Sequence, residues 1–238
     1  EQVQRNLRAT LRSLRAQSSD AWRAVICGQD RPEVGFDAQV TFLPFPADAA
    51  TDPFYDKPQK LEALLAFLTS SPGPDGWLFL LDADDLLHPA LVAHATKEAD
   101  PAGYVLSRGY IMDAATGAMG YHGGNKLRYQ RAVPFNKYCG SSNIIRMDLR
   151  APHAARVLLR DFRVSHAQVV HNMAAYGLRL RRLPFAGAIY VVNHGDNMRQ
   201  KRGKLDRKMG YLAKNRLSER ARRRVAAEFG LDGLRKDA

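Results

Sequence analysis

Only two cysteines, Cys27 and Cys139, stand in 238 residues. They are far apart and lack the paired spacing of a zinc site, so neither a disulfide framework nor a cysteine metal cage is expected. Cys27 closes an apolar run and reads as a buried thiol; reduced thiols suit a cytoplasmic protein. No apolar run approaches the ~20 residues of a membrane span. Internal repeats and low-complexity linkers are absent too, which leaves one compact unit as the simplest parse. Aromatic residues are scarce where basic residues are dense. Only Tyr211 and Phe229 accompany the lysines and arginines between Arg199 and Phe229, and no nucleic-acid-binding module is recognisable there, so nucleic acid is not the expected partner.

What is present suits one large α/β domain: 45% of residues are hydrophobic and 25% charged. The net charge of +12 is unevenly spread. Residues 1–100 hold nine Lys and Arg against fifteen Asp and Glu, a balance of −6, and the remainder carries +18. Half of that excess lies between Arg199 and Glu228, where twelve basic residues face three acidic ones. Such a run points to an anionic partner such as a phosphate-bearing substrate or an anionic membrane surface, or else to a solvated helix face.

Val3, Leu7, Leu11 and Leu14 recur at helical spacing and predict an amphipathic first helix. "WRAVICG" and "AQVTFLPF" read as short strands, "KPQKLEALLAFLTSS" as a helix, and "WLFLLD" as a strand buried on both faces of a parallel sheet. Further strands are expected in "AGYVLSRGYIMD", "GAMGYH", "NKLRYQRAV", "LRLRRLPF" and "GAIYVVNHG". "MDLRAPHAARVLL" and "SHAQVVHNMAAYG" read as helices, the second closed by Gly177. A basic helical tail broken near Gly210 completes the chain.

The stretch "WLFLLDADDLLHP" crowds Asp82, Asp84 and Asp85 at the end of the greasiest strand. Capping the next helix needs one acceptor, not three. Three carboxylates this close repel unless a positive charge compensates, which points to a divalent cation bound by hard oxygen ligands. Strand ends of this kind are where α/β sheets place ligands.

"LLDADDLLHPALV" resembles the Asp-x-Asp segment of family 2 and related nucleotide-sugar glycosyltransferases, and "LRATLRSLRAQSSDAWRAVICGQD" resembles that family's first helix and second strand. The resemblance implies a GT-A fold: a mostly parallel central sheet flanked by helices, with a catalytic domain over 1–198 (donor and metal half 1–100, acceptor half 101–198) and a basic helical extension over 199–238. The family's leading strand has no counterpart, so the chain is expected to lack it. The cofactor implied is Mn2+ or Mg2+, held by Asp84 and Asp85 with His194 as third ligand. Asp82 matches the carboxylate facing the donor ribose, and Asp30 the acidic residue at the nucleobase. Lys57 and Lys60 fall where relatives carry a basic residue near the nucleotide. Gly140, Ser141 and Ser142 match the small-residue segment on the acceptor side. His166 stands at the catalytic-base position, usually acidic in the family, with Asp161 in reserve; neutral imidazole accepts a proton at physiological pH.

The activity implied is transfer of a sugar from a nucleotide-diphosphate donor, UDP being the expected nucleotide, to an acceptor hydroxyl by single inverting displacement. A saccharide or lipid-linked saccharide is the expected acceptor, bacterial surface polysaccharide synthesis the expected setting, and 199–238 the expected membrane-surface contact. The rivals are a nucleotidyltransferase on a similar fold and a protein binding nucleic acid or another anionic polymer through the tail.

Overall fold

The computed structural model describes residues 1–46, 56–70, 75–123, 133–148, 166–195 and 205–231. Expected elements in "NKLRYQRAV" and "MDLRAPHAARVLL" fall largely outside these residues, as does Asp161. Among the described residues there are six α-helices and ten strands.

Helix α1 (Gln2–Arg15) buries Leu7 and Leu11, and Leu14 packs beside them, while Val3 stays 57% exposed at the fraying end. Beneath it, β1 (Ala24–Gly28) pairs in parallel with β2 (Val40–Pro44), Ala24 opposite Val40 and Gly28 opposite Pro44. Pro44 sits at the strand's end, where a missing N–H costs no ladder bond. Helix α2 (Lys57–Ser70) follows and leads to β3 (Gly76–Phe79), the acidic turn, the two-residue β4 (Leu86–Leu87) and α3 (Leu91–Glu98).

Two four-stranded sheets form the centre. One has the order β4, β10 (Ala188–Val192), β6 (Gly109–Asp113), β7 (Met119–His122); the other β3, β8 (Asn143–Met147), β5 (Gly103–Val105), β9 (Arg181–Arg182). Every residue of "AIYVV" in β10 is buried, as a strand paired on both sides and covered on both faces must be. Each such Ile or Val contributes roughly 1.5–3 kcal/mol by leaving water.

The pairing is mixed where a mostly parallel sheet was expected: β1 with β2, β6 with β10, and β5 with β9 run parallel, and the other four pairs antiparallel. In the run "WLFLL", Trp77, Leu78 and Phe79 are half-buried and pair antiparallel with β8. Helix α4 (Val169–Ala175) ends as expected near Gly177, whose φ of +77° suits glycine.

The C-terminal helices belong to the same body. In α5 (Asp206–Lys214) Leu212 joins Tyr104, Ile111, Ile144 and Tyr190 in the main core, and in α6 (Glu219–Glu228) Val225 and Ala226 pack with Ile189 and Val191. The expected extension beyond 198 thus packs its 205–231 part against the two central sheets. Gly210 lies inside α5; the break comes after Asn215, and Ser218 caps α6 by accepting the N–H of Ala221 at 3.3 Å. No helix among the described residues is long and apolar enough to cross a membrane.

Candidate functional site: the acidic turn

Between β3 and β4 the chain turns sharply, with the Asp85 N–H donating to the Asp82 carbonyl at 3.2 Å. The turn sends its three carboxylates in different directions. The side chains of Asp82 and Asp84 are 35% and 23% exposed, whereas Asp85 is fully buried.

Asp85 is an inward pin. Its carboxyl accepts the Val191 N–H of β10 at 3.2 Å and the Cys139 thiol at 3.2 Å. Burial pushes this carboxyl well above the usual range, and the charges of Asp84 and Asp82 add to the push against hydrogen bonds from Ser141 and Cys139. Burial likewise raises the Cys139 thiol, helped by Asp85 and Asp82. Asp85, expected to ligate a metal, stands wholly buried and ties the turn to the sheet through Val191 and Cys139.

Asp84 points out of the turn, where His194 Nε2 meets its Oδ2 at 2.9 Å. The other ring nitrogen, Nδ1, faces the Asn6 amide at 3.0 Å. His194 follows Asn193, which holds a φ of +62° and donates from Nδ2 to the buried Asp113 carboxylate at 2.8 Å. The imidazole expected as a third ligand thus lies between Asp84 and Asn6, with a partner at each ring nitrogen.

Asp82 is approached from both sides. Lys57, at the head of α2, places its Nζ 2.5 Å from Oδ1. Opposite, the Ser141 hydroxyl oxygen accepts the Asp82 N–H at 2.9 Å. Gly140 lies so close that a Cβ there would overlap the Asp82 carboxylate oxygen. Gly140→Ala is therefore expected to push that carboxylate off Lys57 at a stability cost of ~1–3 kcal/mol, which a thermal melt measures.

Lys60 is drawn into a triangle with Asp56 (2.7 Å) and Gln29 (2.9 Å) that joins the end of β1 to the start of α2. Burial opposes it, yet the bonds from Lys60 and Gln29 hold the Asp56 carboxyl below its usual value. Asp30, next to Gln29, is exposed and has no hydrogen bond or ion pair among the described residues. The structure thus brings Asp82, Asp84, Lys57, Gly140 and Ser141 together, with Lys60 and Asp30 along the flank that α2 shares with β1.

In the segment that follows Gly140, the Ser142 hydroxyl donates to the Cys139 carbonyl at 2.8 Å. Asn143 donates from Nδ2 to Ser142 Oγ at 3.2 Å and to the His166 carbonyl at 3.3 Å, while its buried Oδ1 has no partner among the described residues. His166 stands in the turn before α4 and is linked to the acidic turn through Asn143, Ser142 and Ser141.

Sequence reasoning passed over Lys208, Tyr190 and His122. Lys208 of α5 is 4% exposed, donates to the Tyr190 hydroxyl, and lies 3.6 Å from the centroid of that ring. Burial lowers its ammonium to about 8, against the upward pull of Cys139, Asp85, Asp84 and Asp82. The spacing of Leu205, Lys208 and Leu212 was the available signal, since it puts Lys208 on the apolar face of the helix. His122 is wholly buried, stacked on Tyr211 at 3.8 Å, and held neutral by burial, which lowers its imidazole to about 4.

Among the described residues no three His, Cys, Asp or Glu side chains already form a metal cage. Asp82 and Asp84 are the part-exposed carboxylates of the turn, hard oxygen donors of the kind that Mg2+ or Mn2+ takes beside water and phosphate oxygens. Comparison of the sequence with models of protein families and with curated proteins found no match.

Proposed function

We propose that the chain is a metal-dependent glycosyltransferase of the GT-A kind, moving a sugar from a nucleotide-diphosphate donor, UDP in first place, to a hydroxyl of a saccharide or lipid-linked saccharide. One observation carries the reading: Asp82 and Asp84 leave a strand end part-exposed while Lys57 and the Gly140–Ser141 segment close on Asp82 from two sides. Mixed sheets do not conflict with a GT-A core.

In this reading Asp84 and Asp82 hold Mn2+ or Mg2+, which when bound neutralises charge on the departing diphosphate. Lys57 stands within reach of the same phosphates, and Asp30 and Lys60 line the nucleoside end. His166 takes the proton of the acceptor hydroxyl, with Asp161 as the alternative base. The acceptor oxygen bonds to the anomeric carbon as the carbon–oxygen bond to the diphosphate breaks, giving inversion and free nucleoside diphosphate. Arg216, Arg220 and Arg224, exposed around α6, would draw the enzyme to an anionic membrane surface where a lipid-linked acceptor lies.

The test is product analysis with a panel of UDP-sugars, Mn2+ and saccharide acceptors. UDP release coupled to glycoside formation is expected. Pyrophosphate release from a nucleoside triphosphate and a sugar phosphate would replace this reading with nucleotidyl transfer. Absence of both, together with salt-sensitive retention on a polyanion, would move the function to the basic tail.

A further inference from the structure

Helix α1 carries a second row beside its leucines. Gln2, Asn6, Thr10, Ser13 and Gln17 follow at steps of four, four, three and four, one continuous side of the helix and the second residue beyond its end. The lower part of the row grips the backbone around β4. Thr10 Oγ1 donates to the Asp85 carbonyl at 2.9 Å, and Ser13 Oγ accepts the Leu87 N–H at 3.1 Å. Gln17 donates to the His88 carbonyl at 3.0 Å and accepts the Val92 N–H at 3.0 Å.

The upper part forms a directed chain. A guanidinium can only donate, so the 2.6 Å bond from Arg5 Nη2 fixes the facing atom of Gln2 as Oε1. Gln2 Nε2 must then be the group that donates to Asn6 Oδ1 at 2.9 Å, which leaves Asn6 Nδ2 as the atom facing His194 Nδ1 at 3.0 Å. An amide N–H needs an acceptor, so Nδ1 is bare and the ring proton sits on Nε2. That proton points at Asp84 Oδ2, 2.9 Å away. Each link runs the same way, from Arg5 at the surface to Asp84 at the site.

We infer that this row makes α1 the positioning element of the acidic turn: through Asn6 it selects the Nε2–H form of His194, which grips Oδ2 of Asp84 and leaves Oδ1 outside that bond. In this arrangement His194 acts on Asp84 as a positioning residue, through the bond from Nε2 to Oδ2. The functional consequence rests on the metal–diphosphate reading of the site, whereas the ring form of His194 does not. Second-sphere partners of this sort typically change metal affinity by ~10–100-fold when removed.

The experiment reads the two separately. Long-range proton–nitrogen correlation spectra of the full chain report which ring nitrogen of each histidine carries the proton, with His194→Gln assigning the signal. The wild type is expected to show His194 protonated on Nε2. Asn6→Asp, nearly isosteric, replaces the donor facing Nδ1 with an acceptor and is expected to move the proton to Nδ1. Gln2→Glu, a part-exposed change that keeps the Arg5 bond but removes the donor to Asn6, is expected to give a mixture of both forms. Mn2+-dependent UDP affinity should fall about tenfold in Asn6→Asp and less in Gln2→Glu. A wild-type His194 protonated on Nδ1, or a signal unmoved by both substitutions, would overturn the inference whatever UDP does. If the wild type shows the Nε2–H form but binds no UDP with Mn2+, the proposed function fails while the positioning role of α1 stands.

Discussion

Asp84→Asn is expected to lower UDP release roughly 10²–10³-fold, the scale on which loss of one centre of charge stabilisation acts, about 3–4 kcal/mol. The substitution keeps the shape of the side chain and an oxygen able to accept the His194 Nε2–H bond now made at 2.9 Å. It removes only the charge. Stability should therefore change by no more than about 1 kcal/mol, and upward, because the charge of Asp84 is one of the forces that keep the buried Asp85 carboxyl from ionising. Asp84→Ala would confuse the comparison: it strips the partner from an imidazole whose side chain is only 2% exposed, and an orphaned buried donor costs about 1–3 kcal/mol of its own. UDP release at saturating Mn2+, measured beside a thermal melt, decides the matter. An Asp84→Asn variant that keeps more than half of the wild-type rate would remove Asp84 from any metal site.

The acidic turn itself was readable from the residues, because three carboxylates after five apolar side chains stand out in the sequence. Which of them faces outward was not. Sequence spacing treats Asp82, Asp84 and Asp85 alike, and only the turn that joins Asp85 N–H to the Asp82 carbonyl directs the third side chain inward to Val191 and Cys139, far along the chain. The same limit applies to strand direction. "WLFLL" has the uninterrupted apolar character of a covered parallel strand, yet its Trp77, Leu78 and Phe79 lie half-buried and antiparallel to β8, since periodicity reports burial and not the orientation of a partner. In α1 the leucine row is legible, whereas hydrophobic periodicity carries no signal for the polar row beside it. Thr10 and Ser13 are buried there, and they supply a donor and an acceptor to the backbone of the short edge strand β4 and its preceding turn. A row of Gln, Asn, Thr and Ser at helical spacing, with no charge in it, is the mark of a helix side that meets backbone.

Lys208→Met is expected to make the protein more stable and less active. A buried ammonium whose only hydrogen-bond partner among the described residues is the Tyr190 hydroxyl lacks the carboxylate that usually compensates such a charge. Burial brings it from 10.5 to about 8, a displacement equivalent to about 3 kcal/mol against the charged form. Below pH 8 folded and unfolded chains both carry the proton, and this cost is constant. Between about 8 and 10.5 the unfolded chain holds a proton that the folded chain has released, so wild-type stability rises with pH across that window and the cost is gone above it. Methionine matches the length of the stem and carries no charge. After subtracting the ring contact with Tyr190, worth up to about 2 kcal/mol when desolvated, the variant should gain ~1–2 kcal/mol at pH 7. Its advantage should shrink steadily from pH 8 upward, and denaturant melts at pH 7, 8.5 and 10 would trace it. Lys208 also lies in the field of Asp85, Asp84 and Asp82. In the proposed reading its loss weakens the positive field behind Asp84 and Asp82, so UDP release should fall about tenfold, the scale of ~1.4 kcal/mol. A variant that is less stable at pH 7, or as active as the wild type, would show that Lys208 serves the packing of α5 alone.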